Sequence, residues 1–214
     1  MSTLTDISEA LAAGRLPKIK PLVTQALGEG ISAAEILNDG LLAGMGVVGE
    51  KFKNGQLYVP EVMLAARCMQ TGTELLKPML AAEPDSGKAD GTVVIGTVKG
   101  DRHDIGKNLC RLMLEGKGLK VIDLGVNVPA EKFVSEAVRT GAQVICCSAL
   151  LTTTMPEMKR VVEAVAEAGL HDRVKVMVGG APVTQEFCDS IGADCYTTDA
   201  ASCASRAAEY CAAV

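Results

Sequence analysis

The stretch Gly100-Asp101-Arg102-His103-Asp104-Ile105-Gly106 holds one of only two histidines in the 214-residue chain, with a carboxylate two residues before it. Such a pair has the outline of a metal-ligand unit: one imidazole nitrogen faces a metal while the other donates to the carboxylate. The carboxylate fixes the tautomer and raises the basicity of the metal-facing nitrogen. Gly100 and Gly106 flank the loop and let its backbone approach something bulky. From position and composition alone a second reading stands beside this one, in which Asp101 caps the following helix and His103 is solvated. Two further clusters favour the ligand reading: the hydroxyls of Ser148, Thr152, Thr153 and Thr154, and the small-residue turn Gly179-Gly180-Ala181. The other histidine, His171, follows Gly169-Leu170 and reads as a surface residue near a helix C-terminus.

The elements that must position these residues alternate in the second half of the chain. Apolar runs at 92–98, 120–122, 144–148, 174–178 and 194–196 read as five strands. Helical patterns fall between and after them at 105–115, 129–140, 156–168, 184–191 and 200–213. Near-continuous apolar strands separated by helices indicate a parallel sheet covered on both faces. Five βα units favour a flavodoxin-like (Rossmann-type) order, whose ligand site lies beyond the strand C-termini at the switch point between strands one and three. His103, Ser148 and Gly179-Gly180 then fall at three strand ends on one edge.

The first half reads as a small helical bundle. Pro17 opens a helix ended by Gly28 and Gly30, and Ser32 with Glu35 forms a capping box for a second. A third run, 41–52, carries Leu41, Met45, Val48 and Phe52 at helical spacing and stops at Asn54-Gly55. Pro60 starts a fourth, which closes before Pro78. The polar stretch 81–90 (AAEPDSGKAD) reads as a linker, giving domains 1–88 and 89–214.

Composition excludes several classes. A formal charge of -5, three Phe, three Tyr and no Trp leave neither a basic track nor stacking aromatics for nucleic acid. The N-terminus carries Asp6 and Glu9 and lacks the pattern of a signal peptide. The longest charge-free stretch, between Arg139 and Glu157, contains Gln143, Thr152, Thr153, Thr154 and Pro156, so no membrane span is expected and the chain reads as soluble and cytoplasmic. Eight scattered cysteines without CxxC spacing read as small core residues rather than a disulfide framework or a zinc site.

These residues together resemble cobalamin-binding domains, whose signature is DxHxxG, then SxL, then GG. Here Asp101-x-His103-x-x-Gly106 is followed after 41 residues by Ser148-x-Leu150, and after a further 28 by Gly179-Gly180. In the first half, Leu37-Asn38-Asp39-Gly40, Gly44-Met45-Gly46-Val47-Val48-Gly49-Glu50-Lys51-Phe52 and Tyr58-Val59-Pro60-Glu61-Val62 resemble the helical cap module of corrinoid methyltransferase systems. Size and layout are similar to the small corrinoid proteins that serve methanol, methylamine, betaine or aryl methyl ether methyltransferases, and to a pair of modules within methionine synthase.

The resemblance implies cobalamin or a related corrinoid bound base-off, with His103 as the lower axial cobalt ligand and methylcobalamin as the loaded form. It makes Asp101 the hydrogen-bond partner of His103, and Thr154, where methionine synthases carry serine, the third member of a ligand relay. Ser148, Leu150 and Thr152 would contact the nucleotide tail or corrin, Gly179 and Gly180 would leave room for the tail, and Tyr196, Asp199 and Ala200 would close its slot. Asp199 reads equally as the N-cap of the last helix. Gly100, Arg102, Asp104, Ile105 and Gly106 complete the cofactor loop, Arg102 and Asp104 through their backbone. Phe52 and Val59 match positions that shield the methyl group, and Asn38 lies near the corrin edge. Helical spacing alone reads Met45, Val48 and Phe52 as bundle core.

The implied function is a methyl carrier, not a complete enzyme. It would work with a donor-specific methyltransferase, an acceptor methyltransferase for a thiol or a tetrahydropterin, and a reductive activase, with the 81–90 linker as hinge. The alternatives are the small subunit of an adenosylcobalamin-dependent mutase, which normally lacks the cap, and a corrinoid-sensing regulator, which needs a DNA-binding element that Met1–Gly30 is too short and insufficiently basic to supply. A flavodoxin-like domain without corrinoid is the remaining reading.

Overall fold

The computed structural model describes residues 2–80 and 91–213, which form two compact units. The linker expected at 81–90 lies outside the described residues. Among the described residues, no helix is long and apolar enough to cross a membrane.

The first unit is helical. Ser2 accepts a hydrogen bond from the Thr5 amide and caps α1 (Thr3–Ala12), a helix given no range of its own in the sequence reading, which buries Ile7, Ala10 and Leu11. Pro17 lies in the first turn of α2 (Leu16–Gly28), where its missing N–H is not needed. The capping box forms as expected: the Glu35 amide donates to Ser32 Oγ, and Glu35 Oε2 accepts from the Ser32 amide. The helix it opens, α3 (Ala33–Glu35), does not end before residue 41. It continues through a π-helical segment (Ile36–Leu42) into α4 (Ala43–Lys53). Gly40 and Gly44 within this run let α1 approach closely. A Cβ on Gly44 would stand 2.9 Å from the Ser8 carbonyl oxygen, and one on Gly40 3.2 Å from the Ile7 side chain. The last helix, α5 (Val59–Leu80), extends past Pro78, which sits in its final turn, where few intrahelical bonds remain to lose.

The second unit carries five parallel strands: β1 (Thr92–Thr97), β2 (Lys120–Asp123), β3 (Val144–Ser148), β4 (Lys175–Gly179) and β5 (Cys195–Tyr196). Their order is β2-β1-β3-β4-β5, as expected for the flavodoxin-like arrangement. Alternating residues face opposite sides. Val94, Ile145, Cys147, Val176 and Val178 pack in one core cluster with residues of α7 (Ala130–Thr140), α8 (Pro156–Glu167) and α9 (Gln185–Ile191). On the other face α6 (Ile105–Glu115) packs against α10 (Ala200–Ala212). The register pairs Thr97 with Ser148 and Ser148 with Gly179, which brings the ends of β1, β3 and β4 to one edge. All eight cysteines are free thiols and six are buried, Cys146 and Cys147 among them; Cys110 and Cys195 are half-buried.

Candidate functional site

At the β1 end the chain leaves the sheet through Gly100, whose φ of 81° lies in the left-handed region. The next residue, Asp101, has a fully buried side chain whose two oxygens are spent on different partners. Oδ1 accepts from the His103 backbone N–H at 3.1 Å and meets His103 Nδ1 at 2.7 Å. Oδ2 accepts from the amides of Leu150 (2.8 Å) and Leu151 (3.2 Å) and from Thr154 Oγ1 (2.8 Å). Burial opposes the charge on Asp101. The donors from His103, Leu150 and Thr154 outweigh it and hold the carboxyl far below the ordinary carboxylate range. An ionised acceptor at Nδ1 sets the tautomer of the neutral ring, with the proton on Nδ1 and the lone pair on Nε2.

The His103 ring is half exposed and lines a cavity of about 470 Å³ together with Ile105, Gly106, Ser148, Leu150 and Gly180; Arg102 and Asp104 also border it. Two of the lining residues are apolar yet exposed, Ile105 at 77% and Leu150 at 45%. Exposed apolar side chains around a single oriented imidazole suit a large, flat, partly apolar ligand that coordinates at its centre. Gly180, at φ 135°, runs so close to Ala149 that any Cβ there would collide with the Ala149 carbonyl oxygen, so this wall stays bare backbone. A free nitrogen on a fixed ring, an apolar rim and a backbone wall fit a metal-centred macrocycle such as a corrinoid.

Not every expected residue joins this cavity. Gly179 pairs with Ser148 one residue behind the wall, and Thr152 is exposed beyond Leu151; neither borders the cavity. Tyr196, Asp199 and Ala200 stand at the end of β5. Asp199 caps α10, accepting from the Ser202 amide at 2.8 Å and the Ser202 hydroxyl at 2.7 Å. Asn38, Phe52 and Val59 belong to the helical unit, where Asn38 is exposed and Phe52 and Val59 are half-buried; Met45 and Val48 are core. His171 is exposed.

Two groups of residues around the loop went unnoticed in the sequence. Lys107, 2% exposed, donates to both oxygens of Asp123 at 2.7 and 2.6 Å and to Asn108, tying the first turns of α6 to the end of β2. Asn127 accepts from the Gly100 amide. The only available signals were the motif's next residue, Lys107, and the turn composition of Gly125-Val126-Asn127-Val128-Pro129.

Fold and site define a class. Residues 91–204 match a family model described as B12 binding domain, and residues 3–77 match a second model of the same description. Trimethylamine corrinoid protein 1 of Methanosarcina acetivorans is 45% identical over 203 residues, covering 95% of this chain and 91% of that protein. The dimethylamine corrinoid protein of Methanosarcina barkeri is 43% identical over 206 residues, with 96% of each covered. The chain therefore belongs to the family of B12-binding corrinoid proteins. Among solved structures, the methanol:cobalamin methyltransferase complex MtaBC from Methanosarcina barkeri matches with a TM-score of 0.88 at 31% identity, over 99% of this chain and 80% of that one. A cobalamin-binding protein from Desulfitobacterium hafniense DCB-2 matches with a TM-score of 0.81 at 30% identity, over 97% and 98%.

Proposed function

We propose that this chain carries a methyl group on a corrinoid between a donor-specific methyltransferase and an acceptor methyltransferase, with His103 Nε2 as the protein nitrogen that would hold cobalt. The observation that carries the reading is the His103 ring, held through Nδ1 by a buried, ionised Asp101 at the edge of an apolar-rimmed cavity. When bound, the corrinoid supplies a cobalt centre able to accept and release a methyl group. The protein's residues orient the ligand and limit water around it. Asp101 keeps the ring in one tautomer, and Thr154 keeps Asp101 in place. Ser148, Leu150, Ile105 and Gly180 line the cavity and would border the corrin, while Gly179, Thr152, Tyr196 and Ala200 would serve its tail. Asn38, Phe52 and Val59 are the cap's cofactor contacts, within a division into 1–88 and 89–214.

In this reading the chain is a carrier subunit and not a complete enzyme, working in the cytoplasm with its two methyltransferases and a reductive activase. The similarity to the MtaBC complex supports partnership with a methyltransferase. The donor is a methylated amine. The relatives named for trimethylamine and dimethylamine support this, at 45% and 43% identity over most of the chain. The mutase-subunit and regulator readings are not favoured by these relatives.

The test is reconstitution with hydroxocobalamin followed by EPR of the cobalt(II) form. Splitting by a protein nitrogen, lost in His103→Ala, is expected. Protein that stays colourless, or an unchanged His103→Ala spectrum, overturns the assignment. Methyl transfer from trimethylamine or dimethylamine but not methanol, with the cognate methyltransferases supplied, would fix the donor.

A further inference from the structure

Asn127 lies in the connection between β2 and α7 and is, among the described residues, the only non-glycine residue with positive φ, at 56°. Left-handed backbone is unfavourable for a side-chain-bearing residue and persists where surrounding contacts over-determine it. Here those contacts all reach one place. Asn127 Oδ1 accepts from the Gly100 N–H at 2.7 Å, and the Asn127 N–H donates to the Asp101 carbonyl oxygen at 2.9 Å. On either side, the Thr97 amide donates to the Gly125 carbonyl at 2.9 Å and the Val128 amide to the Thr97 carbonyl at 2.9 Å. Thr97 Oγ1 in turn donates to the His103 carbonyl oxygen at 2.9 Å. The loop bearing His103 is thus gripped from two sides. The segment after β3 holds the Asp101 side chain, and the β2–α7 connection holds the backbone of Gly100 and Asp101.

We propose that Asn127 is a positioning residue for the cobalt ligand: its amide oxygen and left-handed backbone fix Gly100 and Asp101 so that His103 is held in one position at the cavity. The inference rests on the reading of His103 as the axial ligand. Gly100 itself has no side chain and a φ open to few residues, so the peptide has little intrinsic reason to stay put. An external clamp supplies that reason, and Asn is the residue type that tolerates left-handed backbone while offering a side-chain acceptor.

The test uses the full chain with three measurements: exchange of the Gly100 amide in corrinoid-free protein, EPR of the cobalt(II) hydroxocobalamin-reconstituted protein, and thermal unfolding. Asn127→Gly keeps the positive φ and removes only the acceptor, while Asn127→Asp keeps both. In Asn127→Gly, Gly100 exchange is expected to quicken by roughly fivefold, the ratio for one lost neutral hydrogen bond, and the nitrogen-ligated fraction of cobalt to fall by a similar factor. Asn127→Asp restores both. Faster exchange with unchanged nitrogen splitting overturns the proposal by making Asn127 merely structural, as does wild-type behaviour in both measurements. If Asn127→Gly unfolds, the comparison passes to Asn127→Ser, whose shorter side chain cannot set an acceptor at the Gly100 amide; its nitrogen ligation must fall below that of Asn127→Asp or the proposal fails. Wild-type protein without nitrogen splitting would instead remove the His103 reading itself.

Discussion

Asp101 and Asp199 stand at comparable points of their βα connections, each a few residues beyond a strand end and shortly before a helix. Their oxygens go to different places. Asp199 bonds locally, to the amide and hydroxyl of Ser202 and to the Thr198 hydroxyl, and so closes the first turn of α10. Asp101 gives α6 no cap. One oxygen serves His103, and the other gathers Leu150, Leu151 and Thr154 from a loop about fifty residues away. A carboxylate that satisfies a helix end stabilises a local element. One that joins two loops across the switch point fixes the relative position of a ligand and its support. Both are held ionised, Asp199 below its ordinary range against its partial burial by the Ser202 and Thr198 donors.

The sharpest way to break this contrast is Asp101→Asn. The amide keeps the shape but turns an acceptor into a donor, facing either the His103 ring or the Leu150–Thr154 donors. Loss of about 3 kcal/mol of stability is expected for buried hydrogen bonds to a charged group. Retention of nitrogen ligation in the reconstituted protein should weaken by roughly 10–100-fold, as for other carboxylates that orient a metal-bound histidine. Denaturant titration and cobalt(II) EPR measure the two effects. The pH dependence has a fixed sign. The folded-state pKa of Asp101 is depressed, so its contribution is fully present above the unfolded-state value of about 4 and is lost only as pH falls below it. The part of the stability gap between wild type and Asp101→Asn that comes from the ionisation of Asp101 should be fully present above about pH 5 and close in stronger acid.

Thr154→Val is the intermediate case. It removes one of three donors to Asp101 Oδ2 from a nearly buried position while preserving volume, and about 1.5 kcal/mol of stability should go with it. Thr154→Ser keeps the hydroxyl and should behave as wild type within about 0.5 kcal/mol. A Ser variant as weak as the Val variant would show that the methyl group is needed as well as the hydroxyl to hold this side of Asp101.

What could be seen in the sequence depended on whether the signal was local. β3 and α6 coincide with their expected ranges because an apolar run and a glycine-bounded loop mark them directly. The flavodoxin-like order followed from five such units. In the helical unit, the helix opened at Ser32 and the run 41–52 read as separate elements, a division that the chain does not make. The π-helical segment carries the helix across Asn38-Asp39-Gly40, and close packing of Gly40 and Gly44 on α1 outweighs the weak propensity of those residues. α1 falls within the half that reads as helical but has no range of its own in the sequence, because its short pattern is completed only by the helices around it. At the site, the pairing of Asp101 with His103 was visible two residues apart. The link to Thr154 came through family resemblance, and Asn127 was hidden because its partner, Gly100, lies 27 residues away and contributes only backbone.

The smallest expected effect sharpens the contrast from the other side. Asp199→Ala removes the N-cap of α10 and should cost about 1 kcal/mol, the usual value for losing such a cap. Its oxygens are already committed to Ser202 and Thr198, so nitrogen ligation of cobalt should match wild type after reconstitution. Asp199→Ser, another good capping residue, should recover most of the stability. An altered cobalt(II) spectrum in Asp199→Ala, with a fold otherwise intact, would mean that the β5 connection reaches the cofactor. The two aspartates would then differ only in the length of their reach, and the tail-slot role of Tyr196, Asp199 and Ala200 would gain direct support.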